Sequence, residues 1–176
     1  EIIKNITEKL IFQYRHSIIN NFSNDKKSYL EIGVEYGNSF KNINIEKMVG
    51  VDPDPQFDDE RLIKKTSDDF FQSNSDTFDV IFIDGMHQSD YVLKDLNNSI
   101  ECLNENGLIF IDDILPNNER EQNKIPIKHI YEHGILKYRE PWTGDVWKVI
   151  YYLIKNHNDD ICFEIFTHEN YRGVGK

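Results

Sequence analysis

Cysteine is scarce, with Cys102 and Cys162 the two in 176 residues. They are too few and too far apart for a metal knuckle or a disulfide framework, and read as reduced thiols of a cytoplasmic protein. Positive charge is short as well. Lys and Arg total 20 against 31 Asp and Glu, a net charge of −11. That balance excludes the basic footprint needed to hold a phosphate backbone, so nucleic acid is not expected as a partner. No run of about 18 apolar residues occurs, which excludes a helix spanning a membrane. There is no internal repeat and no linker rich in Pro, Gly or Ser. The opening Glu1-Ile2-Ile3-Lys4 has neither an initiator Met nor a signal-peptide pattern. It is expected to be an artificial boundary or the edge of a domain excised from a longer chain. Asn-x-Ser/Thr occurs at Asn5, Asn21 and Asn97, and in so Asn-rich a chain chance accounts for all three.

What is present suits one globular domain over residues 1–176: 39% hydrophobic residues and 12% aromatics are enough for a single core. Ile3, Ile6, Leu10, Tyr14, Ile18 and Phe22 stand at helical spacing, predicting an amphipathic helix over residues 2–22 within an N-terminal segment, residues 1–24. Short apolar runs then end in Gly or Asp: Tyr29–Gly33, Met48–Asp52, Phe78–Asp84 and Leu108–Asp112. Such runs, rich in Val, Ile and Phe, predict strands buried on both faces, as in a parallel sheet. Helical stretches lie between them, the clearest over residues 88–105, where Val92, Leu96, Ile100 and Leu103 share a face and Gly107 offers a stop. Strands alternating with helices predict an α/β doubly wound, mostly parallel Rossmann-like sheet. Ligands of such sheets bind beyond the carboxyl ends of the strands.

The first strand runs into Glu31-Ile32-Gly33-Val34-Glu35-Tyr36-Gly37-Asn38-Ser39, where glycines let the backbone approach a ligand at the start of the next helix. Asp52 ends the second strand, 21 residues after Glu31, the place for a carboxylate that accepts from a ribose diol. A dinucleotide site wants Gly-x-Gly-x-x-Gly. Here Glu35 stands where the middle glycine belongs and would repel a pyrophosphate, whereas a sulfonium cofactor without phosphate suits an acidic turn. A plain strand–helix turn is the competing reading of this segment alone.

Taken together, Tyr29-Leu30-Glu31-Ile32-Gly33 through Gly37, Gly50-Val51-Asp52, Phe78 through Gly85 and Gly107 through Asp113 resemble a class I S-adenosylmethionine-dependent methyltransferase. The resemblance is strongest over residues 28–115, the expected cofactor and metal core, with 116–176 as the acceptor side. Within that group the pattern is similar to metal-dependent sugar O-methyltransferases of the macrocin and mycinamicin type, and more distantly to the catechol type. The resemblance implies a divalent cation, Mg²⁺ first, on Asp84, Asp112 and Asp113, with His87 as general base. It implies cofactor contacts at Glu31, Gly33, Gly37, Ser39, Asp52, Ser67, Asp68 and Asp84. The catechol branch has Lys at the base position and Asp-Asn as the pair, so the chain departs from it twice. Glu35 departs from the small residue many relatives carry. The chemistry agrees, because three carboxylates at adjacent strand ends repel unless neutralised, and all-oxygen ligation suits Mg²⁺, Mn²⁺ or Ca²⁺.

His129-Ile130-Tyr131-Glu132-His133 matches a zinc-protease pattern, but Pro126 and Gly134 leave barely two turns, so an exposed helix without zinc is expected. No Asp/Asn-Pro-Pro-Tyr follows the fourth strand, which argues against amino methylation. Trp142 and Asp145, just before a helix predicted over 146–156, are candidates for stacking on a sugar ring and binding its hydroxyl, with core filling and helix capping as the competing readings. Residues 161–167 predict a sixth strand, and Tyr171–Lys176 the start of an incomplete antiparallel seventh, so the native chain is expected to continue past Lys176. The reading is a cation- and S-adenosylmethionine-dependent O-methyltransferase for a sugar hydroxyl, on a nucleotide sugar or a glycan. A catechol-like acceptor and a non-catalytic domain of the same fold remain alternatives, and self-association is left open.

Overall fold

A computed structural model describes residues 14–126, 129–132, 135–139, 141–156, 162–166 and 174–176. In chain order the elements are α1 (Arg15–Phe22), β1 (Ser28–Ile32), a 3-10 turn (Phe40–Asn42), β2 (Lys47–Val51), β3 (Leu62–Ile63), α2 (Ser67–Ser73), β4 (Phe78–Ile83), α3 (Ser89–Glu101) and β5 (Leu103–Ile111). The hairpin β6 (His129–Glu132) and β7 (Ile135–Arg139), then α4 (Trp147–Asn156), β8 (Ile165–Phe166) and β9 (Val174–Gly175), complete the described chain.

β1 and β4 are apolar nearly throughout because both their faces are covered. Alternate side chains feed two cores. Leu30, Ile32, Ile81 and Ile83 pack with Val92 and Leu96 of α3 and Val149 and Leu153 of α4. Tyr29, Val80, Phe82 and Phe110 pack on the other face with Ile18 and Ile19 of α1 and with Phe40. The seven-stranded sheet has the order β3-β2-β1-β4-β5-β9-β8. β3 to β5 are parallel, and β9 is inserted antiparallel between β5 and β8. The doubly wound α/β sheet predicted from the sequence is therefore the observed one. Among the described residues no helix is long and apolar enough to cross a membrane.

Several boundaries differ from the predicted ones. Of the 2–22 helix, Arg15–Phe22 is helical, and residues 1–13 lie outside the described residues. The segment after β1 forms one 3-10 turn rather than a helix, since Asn38, Asn42 and Asn44 favour turns. α3 stops at Glu101, not 105, because Phe78 N–H draws Cys102 O (2.9 Å) into the sheet and Leu103 starts β5 opposite Phe78. Residues 129–132 form a strand rather than a short helix. The β-branched and aromatic Ile130, Tyr131, Ile135 and Tyr138 favour strands, and an extended rise of about 3.3 Å per residue removes the one-turn spacing the zinc pattern needs. The antiparallel seventh strand is in place at Val174–Gly175, where Gly175 pairs with Ile111 at the end of β5.

Register sets the site. Ile32 lies level with Ile83, and Ile83 with Ile111, so Gly33, Asp84 and Asp112 follow side by side. One further rung ties them: Asp84 N–H donates to Ile32 O (2.8 Å) and Asp112 N–H to Ile83 O (3.0 Å). Gly33 (φ +85°) fits here because a Cβ would stand 2.1 Å from Asp84 O. Gly33→Ala should therefore cost about 2–5 kcal/mol, the sum of a left-handed non-glycine residue and an overpacked contact. Denaturant unfolding that showed the variant as stable as the parent would contradict this packing.

Candidate active site

The strand order reverses between β1 and β4, and at such a switch point the loops diverge and leave a crevice. A cavity of about 650 Å³ opens there, well within the size of small-molecule sites. Gly33, Ser39, Asp52, Ser67 and Asp68 line one half, and Asp84, His87, Asp113 and Trp142 the other, with Glu31 between them.

Asp52 is held by two backbone donors. Its Oδ2 accepts from Glu35 N–H (2.8 Å) and its Oδ1 from Asp54 N–H (2.8 Å), which fixes the carboxylate at the tip of β2. Glu35 adopts a left-handed φ of +44° to make this bond. Gly37 does not line the cavity. It belongs to the turn, where a Cβ would meet the Phe57 ring at 2.6 Å. Thr66 caps α2 by accepting from Asp69 N–H, which aims Ser67 and Asp68 into the cavity.

The acidic end is built from three chain segments. Successive strand residues point to opposite faces, yet Asp112 and Asp113 both reach the cluster, because Asp113 turns left-handed at φ +55°, a conformation Asp tolerates better than most. One donor atom each from Asp84, His87 and Asp113 lie within 4.8 Å of one another. His87 Nδ1 stands 3.1 Å from Asp113 Oδ2 and 3.1 Å from Trp142 O, and its Nε2 3.6 Å from Asp84 Oδ1. His87 thus joins the compact group, and Asp112 sits deeper, reached through a residue the sequence reading passed over. That residue is Arg15 of α1, whose Nη1 donates to Asp84 Oδ2 (2.6 Å) and to Asp112 Oδ2. Its placement was legible in principle: a base stands three and four residues before Ile18 and Ile19, on the buried face of its helix.

Protonation follows from this crowding. Burial, reinforced by Asp84 and opposed by Arg15, raises the Asp112 carboxyl above the usual carboxylate range. Burial disfavours a charged His87, but Asp84 and Asp113 outweigh it and raise the imidazole from its ordinary 6.5 to about 9. Glu31, 1% exposed, accepts from Tyr29 OH at 2.5 Å, and burial raises it to about 8. Asp95 is a further buried acid on the cavity wall, raised to about 6 by burial. It was missed although a charge beside Val92, Leu96 and Ser99 on the buried face of α3 marks it. The donor set fits a hard divalent cation: it is rich in carboxylate oxygen, and buried Asp112 Oδ1 has no hydrogen-bond partner.

Trp142 lines the cavity as expected, with its ring 5.2 Å from that of His87 and its Nε1–H donated to Asn123 O. Asp145 does not. It is 2% exposed and caps α3, accepting from Ser89 N–H (2.7 Å) and Lys148 Nζ (2.8 Å). Despite burial, those two donors hold its carboxyl below the usual range. The helix it caps is α3, not the following helix that the sequence suggested.

The doubly wound sheet with its cavity at the switch point is the Rossmann-like fold of class I methyltransferases. Residues 30–114 match the family model described as a methyltransferase domain, which is the stretch that supplies the strand tips and the acidic cluster. The fold is shared with the O-methyltransferase of Bacillus cereus solved with S-adenosylhomocysteine, at 13% identity and a TM-score of 0.56 over 92% of this chain and 78% of that one. It is shared also with TomG of Streptomyces achromogenes, an O-methyltransferase of tomaymycin synthesis solved with S-adenosylmethionine, at 10% identity and 0.59 over 92% and 77%. In sequence the chain is similar to the uncharacterized protein R132 of Acanthamoeba polyphaga mimivirus, 28% identical over 133 residues, which cover 61% of this chain and 60% of that protein.

Glu31 generates a pH test. Its carboxyl stands at about 8 folded against 4.5 for the free group, so folding takes up a proton between those values. The stability this confers is full below about pH 4.5 and is lost as pH rises toward 8. Glu31→Gln cannot ionise, so its Tm relative to the parent should rise steadily between pH 5 and 8. Thermal melts giving a constant difference across that window would mean that Glu31 is ionised throughout.

Proposed function

We propose that this protein is a methyltransferase that transfers the methyl group of S-adenosylmethionine to a sugar hydroxyl, on a nucleotide sugar or a glycan, with the help of a divalent cation, Mg²⁺ first. The observation that carries the reading is the convergence of Asp84, His87 and Asp113 within 4.8 Å, with Asp112 behind them, at the wall of the cavity. Asp52 takes the ribose diol on its fixed carboxylate, Ser67 and Asp68 meet the adenine, and Gly33 and Ser39 form the floor under the methionine moiety. Asp84, Asp112 and Asp113 hold the cation, which when bound lowers the pKa of a hydroxyl and orients it. His87, in its neutral form, accepts the hydroxyl proton as the oxygen bonds to the methyl carbon and the carbon–sulfur bond breaks. The carboxylates that raise His87 are those assigned to the cation, so His87 is freed to act as a base when their charge is taken up elsewhere. Trp142 offers its face to the sugar.

Arg15 supports a second reading, in which its guanidinium alone balances the carboxylates and methyl transfer needs no metal. Incubation with S-adenosylmethionine and a panel of sugars and catechols, with and without EDTA, decides between them. The first reading expects methyl transfer to a sugar that EDTA abolishes and Mg²⁺ restores. Full activity in EDTA would establish the second reading. His87→Ala should lower kcat by about 10²–10⁴-fold with little change in cofactor affinity, and an unchanged kcat would remove His87 from the chemistry.

Cofactor binding is tested separately. S-adenosylhomocysteine should raise the Tm by mass action, and Asp52→Ala should weaken its binding by about 1.5–3 kcal/mol, the range for a hydrogen bond to a charged group. Calorimetry showing equal affinities would displace Asp52 from the ribose, and no binding at all would favour a non-catalytic domain of this fold.

A further inference from the structure

We infer that Arg15 and the divalent cation are alternative occupants of one carboxylate site, so that helix α1 sets how tightly the protein holds the ion. The inference rests on the cation reading above and extends it to a residue outside the matched domain. One nitrogen, Arg15 Nη1, donates both to Asp84 Oδ2 and to Asp112 Oδ2, side chains 69 and 97 residues away in the chain. Asp84, Asp112, Asp113 and Glu31 all bear on that guanidinium. A hard cation would bind the same oxygens at about 2.0–2.6 Å. It would then compete with the guanidinium for Asp84 Oδ2 and Asp112 Oδ2, and two positive centres drawn to the same pair of oxygens repel each other. The two charges exclude each other.

Two observations show that the arginine is a replaceable occupant. Asp112 Oδ1 is buried and has no hydrogen-bond partner, so the guanidinium leaves some of the acceptor capacity unmet, and a cation of six or more oxygen ligands has use for it. Arg15 is also the first residue of α1, preceded by Tyr14 with no side-chain cap and with no acid in the first turn. A cation at the start of a helix opposes the helix dipole. What holds Arg15 there is the carboxylates, and an ion that takes them removes its reason to stay. Its side chain is 33% exposed and lines the cavity, so it has room to withdraw toward solvent.

The test compares Mn²⁺ binding by calorimetry for the parent protein, Arg15→Met and Arg15→Lys, with Asp84→Asn to identify the site. Arg15→Met should bind Mn²⁺ about tenfold or more tightly than the parent, because the ion no longer has to break an existing pair, and its Tm should gain more from the ion. Asp84→Asn should abolish binding in either background. Should Arg15→Met not fold without an ion, the parent itself gives the answer: Mg²⁺ titration followed by NMR should shift the Arg15 Nε–Hε resonance as the guanidinium leaves. Equal or weaker binding by Arg15→Met, or an unmoved Arg15 resonance at saturating Mg²⁺, would overturn mutual exclusion while the cation reading stands. If neither Mn²⁺ nor Mg²⁺ binds any of the proteins, the cation reading fails and takes this inference with it.

Discussion

Glu31, Asp84, Asp112 and Asp113 are brought together by strand register, and four carboxyl groups so close cannot all stay charged and dry. Leaving one buried charge unpaired costs several kcal/mol. The chain answers in three ways at once. Arg15 reaches across the sheet end to pair two of the acids. Burial drives Glu31 toward its protonated form. Asp84 stays partly open to the cavity. The rest of the site can be read as a consequence: the left-handed turn at Asp113, the charged imidazole of His87 and the buried Tyr29 hydroxyl on Glu31 all distribute the same excess of negative charge.

Much of this was visible in the sequence because parallel strands write themselves locally. Four apolar runs, each closed by Gly or Asp, identified β1, β2, β4 and β5 and their ligand-binding ends, and the second and third put Asp52 and Asp84 in the places where the cavity has them. What local pattern could not show was which side chains meet across the fold. Arg15 acts on partners in β4 and β5, far beyond any window of helical or strand periodicity. Asp145 looked available for a ligand because Ser89, whose N–H it caps, lies 56 residues away. Residues 129–132 were misjudged for the opposite reason: the spacing of two histidines was weighed above the β-forming character of the residues between them.

The segment proposed to face the acceptor is fastened rather than free. Thr143 donates through both N–H and Oγ1 to Glu121 O, Trp142 Nε1–H to Asn123 O, and Glu121, 6% exposed, gathers donors from Asn117 and Asn118. These bonds strap the segment after β5 to the segment before α4, and both lie beyond the stretch that matches the methyltransferase domain.

Gly144 is where that strap touches the chemistry. Its φ is +63°, and a Cβ there would stand 1.6 Å from His87 O, while Trp142 O already takes His87 Nδ1. The wall proposed to face an incoming acceptor and the imidazole proposed to deprotonate it are thus one mechanical unit. A lineage that reshapes this wall for a new acceptor also moves its base, so substrate range and turnover are inherited together. Divergence here has to proceed by paired changes, one restoring the seat of His87 for each that alters the wall.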